Sequence, residues 1–95
     1  MTAHTKGTPR LGCPLTEREI QVLEAVASGL RNDGVACRLH LSTDTVKTHL
    51  RRAFAKLGAA DRSHAVAEAF RHGYLWVDIT REIHAGHPGT FRQVA

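Results

Sequence analysis

No stretch of the 95 residues approaches the roughly 18 consecutive apolar residues of a membrane span, and the opening MTAHTKGTPRLG is polar. Neither a spanning helix nor a signal peptide is expected. Cysteine is scarce: Cys13 and Cys37 cannot make the disulfide framework of a small secreted domain, which points to a reducing cytoplasm. The length holds one small domain and leaves no room for a two-domain enzyme, a doubly wound nucleotide fold or a barrel. No segment repeats, and no apolar/polar alternation is strong enough to predict a strand.

Catalytic and metal signals are thin too. Cys37-x-x-His40 and His84-x-x-His87 have spacings a zinc site could use, but no paired CxxC supplies four converging ligands. No metal and no other cofactor is expected. An enzyme needs a nucleophile and a base in a pocket, and a small helical core offers little concavity, so no catalysis is expected.

What the chain has is positive charge in one place. Thirteen Lys and Arg against nine Asp and Glu give a net +4, and residues 34–58 account for all of it through Arg38, Lys47, Arg51, Arg52 and Lys56 against Asp44. A solvated helix face usually mixes both signs, so this asymmetry points to a polyanionic partner.

Residues 1–14, with Gly7, Pro9, Gly12 and Pro14, read as a flexible arm. Thr16 followed by Glu19 is a capping box that opens a first helix over about 17–28, with Ile20, Leu23, Ala27 and Leu30 inward and Gly29 as its stop. Asn32 is expected to cap a short second helix over about 33–39, weakened by Gly34. After the turn His40-Leu41, Ser42 caps a third helix over about 43–57 that ends at Gly58. Its apolar stripe is Val46, Leu50, Ala53 or Phe54, and Leu57; the opposite stripe is Asp44, Lys47, Thr48, Arg51 and Ala55. Ser63 is expected to cap a fourth helix over about 64–72, stopped by Gly73, and the tail 76–95 has a short helix near 78–84. Tyr74, Trp76 and Val77 either fold back over the core or extend an interface with a partner. The fold class is all-α, without a wing.

Two short helices joined by a tight turn, the second of them basic, follow helix-turn-helix logic. A helix about 10–12 Å across fits a major groove about 12 Å wide, and the preceding helix lies across the phosphates. Residues 15–75 also resemble the LuxR/GerE-type DNA-binding domain. The resemblance is carried by Leu15-Thr16, Arg18-Glu19, Val22-Leu23, Gly29, Asn32, Leu41-Ser42, Thr45-Val46-Lys47, His49, Lys56-Leu57-Gly58, Arg62 and Ala65. Sigma-factor C-terminal helix-turn-helix domains share the Thr-Val-Lys run, but the sequence after Gly58 favours the LuxR/GerE fourth helix.

The resemblance implies a four-helix domain that regulates transcription in the cytoplasm at the nucleoid, on double-stranded DNA, as a homodimer through its last helix. Lys47, Thr48 and Arg51 then match the base-contacting positions. Asn32, Thr45, His49 and Arg52 match backbone or flanking contacts, and Ala65, Val66, Ala69 and Phe70 the dimer seam. Chemistry agrees, since Arg and Lys donate to guanine O6 and N7, and a Thr methyl can meet the thymine methyl. The chain is too short for an added receiver or ligand-binding domain, so it resembles the stand-alone members. Where the family often has Asn-Lys-Glu-Ile-Ala, this chain has Asn32-Asp33-Gly34-Val35-Ala36, with an acid beside the presumed phosphate track. That substitution keeps open an alternative: a protein-interaction module that meets RNA polymerase or another regulator, with weak or no DNA contact.

Overall fold

The computed structural model describes residues 10–88; most of the arm 1–14 and the end of the tail lie outside the described residues. Four helices and a hairpin follow one another: α1 (Glu17–Ala27), α2 (Asn32–Leu39), α3 (Thr43–Leu57), α4 (Arg62–Arg71), β1 (Leu75–Val77) and β2 (Ile83–Ala85). The fold is an all-α helix-turn-helix domain with a two-stranded appendage.

The capping box forms as its sequence requires. The Thr16 side chain accepts from the Glu19 N–H at 3.1 Å, and Glu19 Oε1 accepts from the Thr16 N–H at 2.9 Å. α3 keeps the expected bounds, with Ser42 Oγ accepting from the Thr45 N–H and Gly58 closing it at φ 65. A Cβ at Gly58 would be strained there and would come within 2.9 Å of Leu11 Cδ1.

Two caps differ from expectation. Arg31, with no side-chain bond, is the N-cap of α2; Asn32 is the first helical residue, and its Oδ1 accepts instead from Arg62 Nη1 at 2.7 Å. α4 starts at Arg62 because Asp61, not Ser63, accepts from the His64 N–H. A carboxylate two residues earlier outcompetes the serine hydroxyl.

The helix expected near 78–84 is not there. Asp78 Oδ1 draws in the N–H groups of Thr80 and Glu82 and the Thr80 hydroxyl, which folds the segment into a tight loop. β1 and β2 pair antiparallel on either side, with Leu75 opposite Ala85, Trp76 opposite His84 and Val77 opposite Ile83. Ile79, Thr80 and Ile83 are β-branched and lower helix propensity, while the Asp78 side chain offers the backbone a better local partner.

The core runs through all four helices. Val22, Leu23 and Ala25 of α1, Val35 of α2, Val46 and Ala53 of α3, and Ala65 and Ala69 of α4 are fully buried. Leu15 and Leu75, which flank the four helices in sequence, are buried with it. Tyr74 folds back, its hydroxyl accepting from the Leu15 N–H at 3.3 Å, whereas Val77 is half exposed.

Candidate nucleic-acid interface

The turn between α2 and α3 fixes how one helix presents the other. His40 ends α2 in the left-handed region at φ 59, and the Leu41 N–H donates back to the Ala36 carbonyl at 2.9 Å. Val35 and Ala36 of α2 and Val46 and Leu50 of α3 are buried, so the two helices share one apolar seam. Their angle is thus set by packing, and the opposite side of α3 is left to solvent.

On that side Asp44, Lys47, Arg51 and Ala55 are exposed, and Thr48 is partly exposed. Among the described residues neither Lys47 nor Arg51 has a hydrogen-bond or ion-pair partner, so both keep their full donor sets. Thr48 Oγ1 donates to the Asp44 carbonyl at 3.1 Å, which engages its hydroxyl and leaves its methyl as the group on offer. The Thr45 hydroxyl accepts from Ser42 Oγ at 2.9 Å and still has its own proton to give.

Thr45, His49, Arg52 and Lys56 fall on the neighbouring flank of α3, at i, i+4, i+7 and i+11. Lys56 does not belong to the solvent footprint. Its Nζ meets Glu19 Oε1 at 2.8 Å with side-chain exposures of 11% and 2%. One of the five cations that made residues 34–58 look basic is a buried counterion. Arg38 is partly engaged as well, 3.5 Å from Glu24. No signal in the local charge count distinguishes these from Lys47 and Arg51; only the apolar phase of α3 against α1 does.

His49 is half-buried with Nδ1 enclosed and unpartnered. Burial pushes its pKa below the usual 6.5; Glu19 raises it, while Arg18 and Arg52 lower it further. The lowered value favours the neutral imidazole, which narrows what it can offer a phosphate to one ring N–H. Asn32 stands at the start of α2 but is occupied by Arg62, whose other nitrogen donates to the Leu30 carbonyl at 3.0 Å.

Of the four residues expected at a dimer seam, Ala65 and Ala69 are both 0% exposed and packed into the chain's own core. Val66 and Phe70 are partly exposed. Val66 joins Val26, Ala27, Arg62 and Ser63 around an open groove of about 310 Å³ between α1 and α4. Among the described residues no three metal-ligating side chains come together, and no helix is long and apolar enough to cross a membrane.

Residues 13–69 match the family described as "GerE: Bacterial regulatory proteins, luxR family". Over 62 residues the chain is 48% identical to the "Uncharacterized transcriptional regulatory protein YxjL" of Bacillus subtilis (strain 168), a match that covers 65% of this chain and 28% of the relative. Over 58 residues it is 48% identical to the "HTH-type transcriptional regulator MalT" of Yersinia enterocolitica, covering 61% of this chain and 6% of that protein. Its fold is similar to that of response regulator ChrA of a heme-sensing two-component system, with a TM-score of 0.61 and 35% identity over 73% of this chain and 34% of that one. The chain thus spans little more than a quarter of the first relative's length and far less of the second's.

Proposed function

Because the chain belongs to the LuxR family of bacterial regulatory proteins, we propose that it reads duplex DNA sequence-specifically as a dimer, with α3 in the major groove. The family is one of transcriptional regulators, and DNA binding follows from it in general. The observation that carries the finer reading is the division of α3 into two stripes. Val46, Leu50, Ala53 and Leu57 are buried, while Lys47 and Arg51 are exposed and unpaired on the other side. In this reading Lys47, Thr48 and Arg51 meet base edges, and Thr45, His49 and Arg52 meet the flanking backbone. Asn32 adds its backbone N–H at the start of α2, since its side chain is held by Arg62.

The test is binding to DNA from upstream of the chain's own gene beside a scrambled duplex, across a salt series. Arg51→Ala is expected to cost roughly 1–3 kcal/mol on the true site and to relax base preference there. Equal affinity of the unaltered chain for both duplexes overturns sequence-specific reading. A second reading, contact with RNA polymerase or another regulator, is supported by one observation: Ile79 is 95% and Val77 51% exposed on the hairpin. Copurification of polymerase that Ile79→Ser abolishes, without loss of DNA affinity, supports that contact as an additional role.

A further inference from the structure

α2 begins without a capping side chain, since Arg31 makes no such bond. Its start is tied instead to α4. Arg62, the first residue of α4, donates Nη1 to Asn32 Oδ1 at 2.7 Å and Nη2 to the Leu30 carbonyl at 3.0 Å. One guanidinium thus spans both sides of Arg31. Leu30 in turn lies against the first turn of α2, where a Cβ at Gly34 would stand 3.4 Å from its Cβ and Cδ2.

The far end of this tie is anchored. Asp61 caps α4 by accepting from the His64 N–H at 2.9 Å, and Ala65 and Ala69 are packed into the core. Both acceptors of Arg62 are uncharged, and among the described residues it has no acidic partner. Its fork, rather than its charge, therefore sets the contact. A guanidinium reaches two acceptors in one fixed plane, which a lysine ammonium on its flexible stem does not reproduce. At the other end of the chain of contacts, Val35 and Ala36 pack with Val46 and Leu50 of α3, so a shift at the start of α2 is passed on to α3.

We propose that Arg62 is a positioning residue for DNA reading: it fixes where α2 begins and, through the α2–α3 seam, the angle at which the two helices meet the duplex. The inference rests on α3 lying in the major groove, and it gives α4 a part in binding that is separate from pairing. Arg62 itself meets no phosphate and acts through Asn32 and Leu30.

Two measurements on the full chain test this. The first is amide hydrogen exchange without DNA: Arg62→Gln is expected to speed exchange at Val35 and Ala36 more than at Val46 and Leu50. No preferential rise in α2 overturns the tie. The second is affinity for a labelled duplex of about 12 base pairs cut from the upstream DNA, too short for two recognition helices one turn apart. It is titrated between about 50 and 200 mM salt, at a temperature where circular dichroism shows every variant folded. Arg62→Gln is expected to weaken binding about fivefold or more, with the slope of log K against log salt unchanged. Arg62→Lys, which keeps the charge but not the fork, is expected to weaken it to a similar extent. Asn32→Ala should show part of that loss, and the double substitution with Arg62→Gln no more than Arg62→Gln alone. Recovery by lysine, or a slope lowered by about 0.9 in Arg62→Gln, would make Arg62 a phosphate contact and overturn positioning. A lowered thermal midpoint with unchanged affinity overturns it too, leaving a bond that serves stability alone. In each of these cases the groove reading stands. If the unaltered chain binds neither this duplex nor a longer one, the groove reading itself falls.

Discussion

Glu19 Oε1 serves two partners at once, the Thr16 N–H at 2.9 Å and Lys56 Nζ at 2.8 Å. One oxygen therefore joins a helix cap to a helix–helix contact. Lys56→Met would keep the stem's packing but leave a carboxylate 2% exposed without its cation. Breaking a buried pair in this way typically costs about 3–5 kcal/mol, against roughly 5–10 for an entire small domain. Urea unfolding should show a loss of that size as a lowered midpoint. His49 makes a different prediction. Its pKa is held below 6.5 chiefly by burial, so the folded chain takes up its proton less readily than the unfolded one. The stability this represents is complete above 6.5 and is lost as pH falls from there through the lowered folded value. Melting at pH about 7.5 and about 5 should show an acid-induced drop that is smaller in His49→Gln. Glu68, lowered mainly by its Arg71 hydrogen bond, and Asp78, lowered mainly by Thr80 and then His84, follow the same sign at lower pH, below their ordinary 4.5 and 3.8.

At the scale of elements, α2 is the weak piece: eight residues, no side-chain N-cap and a glycine inside. A Cβ at Gly34 would meet Leu30 Cβ and Cδ2 at 3.4 Å, the near edge of ordinary contact. Gly34→Ala should stabilise by about 0.5–1 kcal/mol, seen as a rise of several degrees in thermal midpoint with no DNA present. The four helices were legible because each has a strong local signal: the Thr16/Glu19 box, the Ser42 cap, and the two-faced period of α3. The sequence does not show the N-caps of α2 and α4, because Arg62 takes the Asn32 Oδ1 from thirty residues away and Asp61 caps α4 two residues ahead of Ser63. The hairpin was illegible because each strand is three residues long, too short for alternation to register, and because a single side chain, Asp78, organises its loop. On the site, the exposed Lys47 and Arg51 could be read from the phase of α3. The burial of Lys56 could not, since it depends on where α1 lies, and neither could the enclosure of Ala65 and Ala69.

At the scale of the molecule, the number of base pairs under one helix decides the assembly. A single recognition helix meets about 3–5 base pairs, too few to mark one site in a genome, and this is the argument for the dimer proposed above. In the proposed dimer, the seam residues open to a second copy are Val66, which lines the α1–α4 groove, and the partly exposed Phe70. Val66→Glu should abolish the advantage of a two-half-site duplex over a single half-site, with circular dichroism confirming the helices; unchanged two-site affinity would place the seam elsewhere. The hairpin has a further consequence. Leu15, where the helical domain begins, is held on its N–H by the Tyr74 hydroxyl at 3.3 Å and on its carbonyl by His87 Nε2 at 3.0 Å. Residues 72 positions apart in sequence are thus neighbours, and the backbone between them is almost a closed ring. In such a ring the place where the polypeptide is severed is incidental to the shape. A short bridge across this seam and a break at Ala59-Ala60, between α3 and α4, would thread the helices in a new order while presenting the same α3.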